Sequence, residues 1–420
     1  MLRTDEENNI ILDQGLTRVP KSVRVRIVRN GDTVETSTIP SLSTGSDASV
    51  EDLIHRARDS LFEEELIHEI MLETRNLISH DVKVRESTIH IPVPPCDAKS
   101  LSSAGSGTHE VLVDLVPLND LTVQQPDQES DGLANYIAIG LRMLLSHTHR
   151  QRLQRRSQIP PPLSERKRPN PPSSILRPVM NYLQHHAAVD ATRRYTAQTT
   201  SVLRSAGLTM GAAFKTDLAL SNLLDTNRPS TSSSTSNSTT DKLITALTGP
   251  LHTTVTITLP SSGTVSDTGD AKPQSLGLSI RTHLTPPTHG TAYTLTLPTP
   301  LSTLLFSSPT SKPLTFPSFS ELTSYLNFLL SMDIAHRVIA AENEGWRGAE
   351  GEAEVSRTVE VGKGRRTKKV GVRVGEGKEG GLVVWWRWAE MVGKAEEVRW
   401  DGSGEGERRG LREVVEGFME

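Results

Sequence analysis

The period of the apolar positions switches several times along this chain, and each switch predicts an element. "SVRVRIVRNGDTVE" sets Val23, Val25 and Ile27 against Arg24, Arg26 and Val28, and Asn30-Gly31 supplies the residues of a type I′ turn. That pattern predicts a β-hairpin with one buried face. A Ser/Thr-rich loop follows, and from Val50 to about Ile78 the period becomes helical. Leu53, Ala57 and Leu61 share one face, while Phe62, Leu66, Ile67, Ile70, Met71, Leu77 and Ile78 form a second stripe pointing away from the first. Ser60 and Glu63 have the spacing of a capping box, and Glu64 and Glu65 add charge that suits a helix N-terminus. The pattern allows a break near Asp59-Ser60 but favours one long helix held by partners on two faces. "VKVRESTIHIPV" (82–93) predicts strand–turn–strand, and "HEVLVDLVPL" (109–118) a further strand.

A second strong helix is predicted from Leu133 to about Arg156, apolar nearly all round in its first half and basic in its last turns. The first half should be buried, and the basic end suits a helix C-terminus. The Pro-rich, basic stretch 157–174 reads as an extended connector. "ILRPVMNYLQHHAAVDATRRYTAQTTSVLRSAG" gives one or two helices closed at Gly207, and "TDLALSNLLD" a short further one. Beyond the low-complexity stretch 226–241, "TTVTITLP", "LGLSIRTHLT" and "AYTLTLP" alternate as strands. A helix over 318–342 opens with a capping box from Ser318 to Glu321, its stripe formed by Tyr325, Phe328, Leu329, Met332, Ala335 and Ile339. "KVGVRV", "GLVVWWRW" and "EEVRW" return to strands. The expectation is an α+β chain of antiparallel β meanders and hairpins with several long helices, interrupted by disordered loops. Its expected parts are a flexible N-terminus (1–21), an α+β domain (22–225) holding the helices 50–78 and 133–156, a linker (226–241) and a β-rich C-terminal domain (242–420). No fixed-period repeat is present, which argues against a solenoid or propeller.

Composition sharpens this picture in a few places. Only 35% of the 420 residues are apolar and 4% aromatic, thin for one globular body, so linker sequence is expected. Net charge is −4, so only local patches argue for a nucleic-acid partner. The single Cys96 cannot form an internal disulfide, which points to a reducing compartment, cytosol or nucleus. The acidic N-terminus has no apolar run of the signal-peptide kind, and no 18-residue apolar run suggests a membrane span. The sequon at Asn237 has no secretory context to give it meaning.

Candidate chemistry is sparse. Glu65-Leu-Ile-His68 is an E-x-x-H, the motif that places two ligands on one helix face in di-iron bundles. Such a site needs a second copy and two further Glu, and the nearest relative is Asp333-Ile-Ala-His336. The plainer expectation is that Glu65, Glu69 and Glu73 form a solvated i,i+4 ridge, with Glu64 and His68 paired weakly. His147-Thr-His149 and His185-His186 have spacings that do not share one side of a helix. "GKGRR" and "GSGEGE" do not lie between a strand and a helix, and "KGRRTKK" (363–369) reads as a charged hairpin loop. No nucleophile elbow or P-loop occurs, and nothing calls for a cofactor or metal. The basic run stands out: Arg150, Arg152, Arg155 and Arg156, then Arg166, Lys167 and Arg168 across a Pro-rich spacer. It resembles a two-part nuclear-localisation signal, and the same charges suit nucleic-acid phosphates or an acidic protein surface.

The ordered set of features resembles the Mediator complex subunit 17 family, a component of the head module. The resemblance rests on "ARDSLFEEELIHEIMLETRNLISHDVKVRESTIHIPVP" (57–94), then "LRMLLSHTHRQRLQRRSQIPPPL" (141–163), "ILRPVMNYLQH", and the late "LTSYLNFLLSMDIAHRVI". Together these span roughly Ser22 to Trp400. Members usually carry a long N-terminal helical region that packs in the neck of the head; this sequence begins close to its first hairpin, so the resemblance implies the central and C-terminal scaffold. It further implies a non-enzymatic transcription coregulator in the nucleus, partnered by other head subunits and, through the assembled complex, by the RNA polymerase II machinery. On this reading the acidic helix is structural, with Phe62, Leu66 and Ile70 as packing anchors. Arg155, Arg156, Arg166, Lys167 and Arg168 are the import candidates. Two other classes remain: a nucleic-acid-binding protein using Arg150 to Arg168, and a carboxylate–histidine metalloenzyme.

Overall fold

The computed structural model describes residues 2–4, 10–12, 19–40, 49–93, 109–118, 132–157, 174–216, 239–263, 274–283, 290–306, 312–343, 345–348, 351–361, 364–376, 381–389, 395–401, 407 and 409–419. The chain divides into two compact units: Met1–Pro95, Lys99–Gln184 and Thr226–Gly249 form the first, and Cys96–Ala98, His185–Asp225 and Pro250–Glu420 the second.

In the first unit, β1 (Leu2–Thr4) pairs with β2 (Ile10–Leu12). The predicted hairpin is β3 (Lys21–Arg29) and β4 (Asp32–Thr36). Asn30 and Gly31 both take positive φ, as a type I′ turn demands. Then come α1 (Val50–Thr74), β5 (Lys83–Arg85), β6 (Thr88–Val93) and β7 (His109–Pro117). The antiparallel sheet runs β4-β3-β7-β6-β5, so its central pair joins strands far apart in sequence. Val23, Val25, Ile89, Ile91, Val111 and Val113 are buried, and α1 and α2 (Leu133–Ser157) pack against β3. On β3 the alternate residues Arg24 and Arg26 grip Asp114 of β7 at 2.5 and 3.0 Å.

α1 is one helix of 25 residues, but it starts earlier than the proposed capping box. Ser49 caps it, with Asp52 closing the box, while Ser60 and Glu63 lie mid-helix. Ser60 and Glu63 are free for other work because mid-helix N–H groups already have partners one turn back. The second stripe is the buried one, at Leu66, Ile67, Ile70 and Leu77; Phe62 and Met71 are half-buried and Ile78 is exposed. α2 buries Ala134, Ile137, Ala138, Leu141, Leu144 and Leu145 but leaves Tyr136 and Ile139 exposed, so its first half is one-sided. α3 (Leu176–Ser205) is a single helix of 30 residues, closed at Gly207 with φ +76°. The division between units falls within it. α4 (Thr239–Thr248) belongs to the first unit and lies against α2.

The second unit contains two five-stranded meanders in strict sequence order. One is β8 (Gly211–Thr216), β9 (Leu251–Thr258), β10 (Ser275–His283), β11 (Gly290–Thr296) and β12 (Leu314–Phe316). The other is β13 (Arg347–Gly348), β14 (Glu354–Val361), β15 (Gly364–Glu376), β16 (Gly381–Trp388) and β17 (Glu396–Trp400). α5 (Thr299–Leu305), α6 (Phe319–Asp333) and α7 (Leu411–Met419) complete it. α6 runs on through a π-helical stretch, Ile334–Ile339, into a last turn, Ala340–Glu342. One apolar cluster joins Leu278, Ile280, Leu322, Leu329, Val372, Val384 and Trp400. Most of the predicted charged loop 363–369 is strand: Arg365 to Lys369 pair with Arg357 to Glu360 and Ser356 of β14. Lys369 meets Glu354 at 3.6 Å, and Lys368 lies over the Trp386 ring at 4.5 Å, so acidic and aromatic neighbours on adjoining strands take up the charge. "TDLALSNLLD" from Asp217 on lies outside the described residues, as do the connector beyond Ser157 and most of 226–241.

Candidate functional site

The acidic helix carries the most convergent chemistry in the first unit. It begins with a deficit on β3. β4 pairs with β3 only from Arg26 onward, so the first half of β3 has N–H groups with no strand beside them. Buried backbone donors of this kind need acceptors. Side chains supply them in alternation: Ser60 Oγ accepts from Lys21 N at 3.1 Å, Glu63 Oε2 from Val23 N at 2.8 Å, and Ser37 Oγ from Val25 N at 2.9 Å. Glu63 also takes Arg142 of α2, with Nε at 2.6 Å and Nη2 at 3.2 Å. Arg142 Nη2 donates on to the Val23 carbonyl at 3.3 Å. One carboxylate thereby joins α1, β3 and α2.

Farther along, α1 faces the basic end of α2. Glu65 meets His149 at 2.8 Å and Glu69 meets Arg152 at 2.9 Å, with the Phe62 ring edge-on to His149. Glu73 is buried. Its Oε2 accepts from Ile175 N and Leu176 N, both at 2.7 Å, and its Oε1 from Arg177 N at 3.2 Å. These are the orphan donors at the start of α3, so Glu73 caps that helix from a distance of about 100 residues in sequence. Burial pushes its carboxyl above the ordinary glutamate value, against the downward pull of the three N–H groups and Arg177. The expected solvated ridge of Glu65, Glu69 and Glu73 is therefore corrected. Glu65 stays exposed beside His149, Glu69 is largely covered by Arg152, and Glu73 is a buried cap, so the ridge turns from water to the protein along its length.

Leu66 and Ile70 are buried within this chain's own fold, and Phe62 sits at the edge of that face. Arg155 and Arg156 are exposed in the last turn of α2; Arg166, Lys167 and Arg168 lie outside the described residues. The E-x-x-H does not converge: Glu65 turns to α2, and His68 lines an open groove with Lys21, Glu64, Ile67, Met71 and Leu115. His147 bonds Gln151 while His149 bonds Glu65. In the second unit, Asp333 is fully buried, accepting from Ser261 N at 3.0 Å and Ser261 Oγ at 2.8 Å, whereas His336 reaches the Glu352 carbonyl at 2.8 Å. Burial raises the Asp333 carboxyl, opposed by Ser261 and Arg337. Among the described residues, no three His, Cys, Asp or Glu side chains are placed to hold one metal ion.

The family model described as Subunit 17 of Mediator complex matches residues 1–203. The Mediator of RNA polymerase II transcription subunit 17 of Aspergillus terreus is 33% identical over 302 residues, covering 71% of this chain and 43% of that protein. The chain belongs to the Mediator subunit 17 family. The subunit 17 of Emericella nidulans is 37% identical over 212 residues, 49% of this chain and 31% of that protein. The chain thus spans under half the length of these curated subunit 17 relatives. A solved structure of the Schizosaccharomyces pombe Mediator head module overlays with a TM-score of 0.48 at 13% identity, over 77% of this chain and 63% of that one.

In this subunit 17 family member, sequence reasoning missed Glu63 and Glu73 as buried acceptors, Arg142 as the counterpart of Glu63 and His185 as a core residue. His185 sits between Thr253 and Thr282, at 2.8 and 2.9 Å. A signal did exist for Glu63 and Glu73. Both fall on the Leu66–Ile70 side of α1, a placement that marks an acid as partnered rather than solvated.

Proposed function

We propose that this chain is a non-enzymatic scaffold of the Mediator complex, acting as a coregulator of RNA polymerase II transcription. Its partners are other head-module subunits and, through them, the polymerase machinery. The observation that carries the reading is the fate of the acids. Glu63, Glu73 and Asp333, the buried carboxylates with the best-defined surroundings, all spend their lone pairs on backbone N–H, hydroxyl or guanidinium groups of the fold. A reactive carboxylate needs an open side facing substrate. These acids hold elements together, which is what a scaffold asks of them. The relatives' name adds the context of transcription by RNA polymerase II. The test is affinity purification of the tagged chain from nuclear extract, with mass spectrometry. Other Mediator subunits are expected in stoichiometric amounts; a folded chain that purifies without them overturns the reading.

The nucleus is the working compartment on this reading. Exposed Arg155 and Arg156, with Arg166, Lys167 and Arg168 beyond them, support import through a two-part basic signal. Neutralising all five should leave the protein largely cytoplasmic, and unchanged nuclear accumulation would favour import together with a partner.

A further inference from the structure

α1 carries two apolar faces, and the fold buries only one. Opposite Leu66 and Ile70, Val50, Ile54 and Leu61 are 48%, 45% and 54% exposed, with half-exposed Ala57 between them. The four fall at i, i+4, i+7 and i+11, the a/d spacing of a helix–helix seam. At the helical period they lie within about 60° of one another and about 170° from the Leu66–Ile70 direction. Leu72 continues the line at 40% exposure, but Glu64 and His68 interrupt it, so the continuous seam is about three turns, ~18 Å long. Along one flank stand Glu51 and then Arg58, seven residues apart and both exposed.

We infer that the Val50–Ile54–Ala57–Leu61 face of α1 docks an amphipathic α-helix of another chain of the assembly. The inference rests on the scaffold reading above. The spacing selects a helix, because knobs at i and i+4, then i+7 and i+11, fill holes that only a second helix repeats. The flank selects charge: a basic residue opposite Glu51 and an acidic one opposite Arg58. The length of the seam selects another chain over a second copy of this one. Three turns of two-helix contact fall well short of the roughly 1,600 Å² that a stable interface buries, so the seam is one part of a larger contact surface. Several subunits in an assembly supply such a surface; a lone pair of copies joined by this seam does not.

The experiment places a photo-crosslinking residue at Ile54 or at Leu61 of the full chain in its own cells and maps the adducts by mass spectrometry. Both positions are expected to reach one segment of one other chain, at sites three, four or seven residues apart. In parallel, Ile54→Glu/Leu61→Glu should lose that chain from the purified complex while its melting curve matches the parent. Adducts to a second copy, adducts scattered over unrelated segments, or no adducts overturn the inference, as does a double variant that retains every partner. If the unaltered chain purifies without any Mediator subunit, the scaffold reading itself has failed. If it assembles normally and the double variant does too, only the seam is wrong.

Discussion

The first unit and the second solve the same problem, buried backbone polarity around a five-stranded sheet, in different ways. Each sheet of the second unit is a meander, so every strand finds its partners next to it in sequence. There the ladders satisfy most of the backbone; Ser331 and Asp333 take the N–H groups of Val374 and Ser261, and His185 bonds Thr253 and Thr282. The first unit's sheet has the order β4-β3-β7-β6-β5, and half of one edge of β3 has no strand beside it. Carboxylates and hydroxyls from α1 fill the gap, across 39 and 40 residues of sequence, and Glu73 reaches 102 residues to Ile175. A shuffled strand order therefore leaves half of one edge of β3 to a few long-range side chains, while in the meanders such side chains act where the ladders end.

The sharpest way to break that contrast is Glu63→Ala. It leaves the Arg142 guanidinium without its carboxylate and Val23 N–H without an acceptor. Removing one partner of a buried ion pair costs roughly 3–5 kcal/mol. Arg142 is partly exposed, which favours the lower end. Urea denaturation measures it, and Glu63→Ala/Arg142→Ala should cost clearly less than the two single changes added together. A single-variant loss below about 1 kcal/mol would mean the ladder alone holds β3.

In the second unit the corresponding test is pH. Burial, with help from His252 and His186, lowers the His185 pKa from 6.5 to about 4. Between those values the unfolded chain binds a proton that the folded chain refuses. Stability contributed by the neutral ring is thus complete above pH 6.5 and falls as pH drops toward 4. The loss is on the order of 3 kcal/mol over that window. Denaturation midpoints at several pH values should show this slope in the parent chain, reduced by about one proton in His185→Gln. An unchanged slope would place the titration elsewhere.

Much of the architecture was legible and much of the site was not, for one physical reason. The hairpin at Asn30-Gly31, the helices α1 and α2 and strands β9, β10 and β11 are written in local period and turn chemistry. β14 alternates Val355, Val359 and Val361 against Glu354, Ser356, Thr358 and Glu360, but Arg357 breaks the apolar face, and pairing with β15 completes the strand. β8, with "GAAFKT", is likewise specified by its neighbour β9. Glu63 reads as the closing acid of a capping box and Glu73 as part of a solvated ridge, since their partners lie 40 and 102 residues away. Phe62 read as an anchor because it begins the apolar stripe, but its ring turns toward His149 at the edge of the packed face.

Glu73→Ala tests the long reach itself. It removes the acceptor for three N–H groups at the start of α3 and should cost about 2 kcal/mol, the upper range for a lost N-cap. Hydrogen exchange at Ile175, Leu176 and Arg177 should accelerate more than exchange at the middle of α3. Equal acceleration along the whole helix would show that Glu73 supports global stability rather than the cap.

The smallest expected effect comes from Glu65→Gln. Glu65 and His149 are both substantially exposed, with side-chain exposures of 44% and 34%, and their 2.8 Å contact is screened by water. Exposed pairs contribute about 0–1 kcal/mol, so the change should stay within about 0.5 kcal/mol, and His68→Gln likewise. The pair of substitutions separates two meanings of the same acidic helix. If Glu65 and His68 were ligands of a metal, either change would release it and lower the melting temperature by far more than an exposed contact can. Thermal melting beside elemental analysis of the purified chain decides the matter. Near-silent substitutions at Glu65 and His68, set against a large loss at Glu63 two residues away, would show that the buried side of α1, and not its E-x-x-H, is where its acids act.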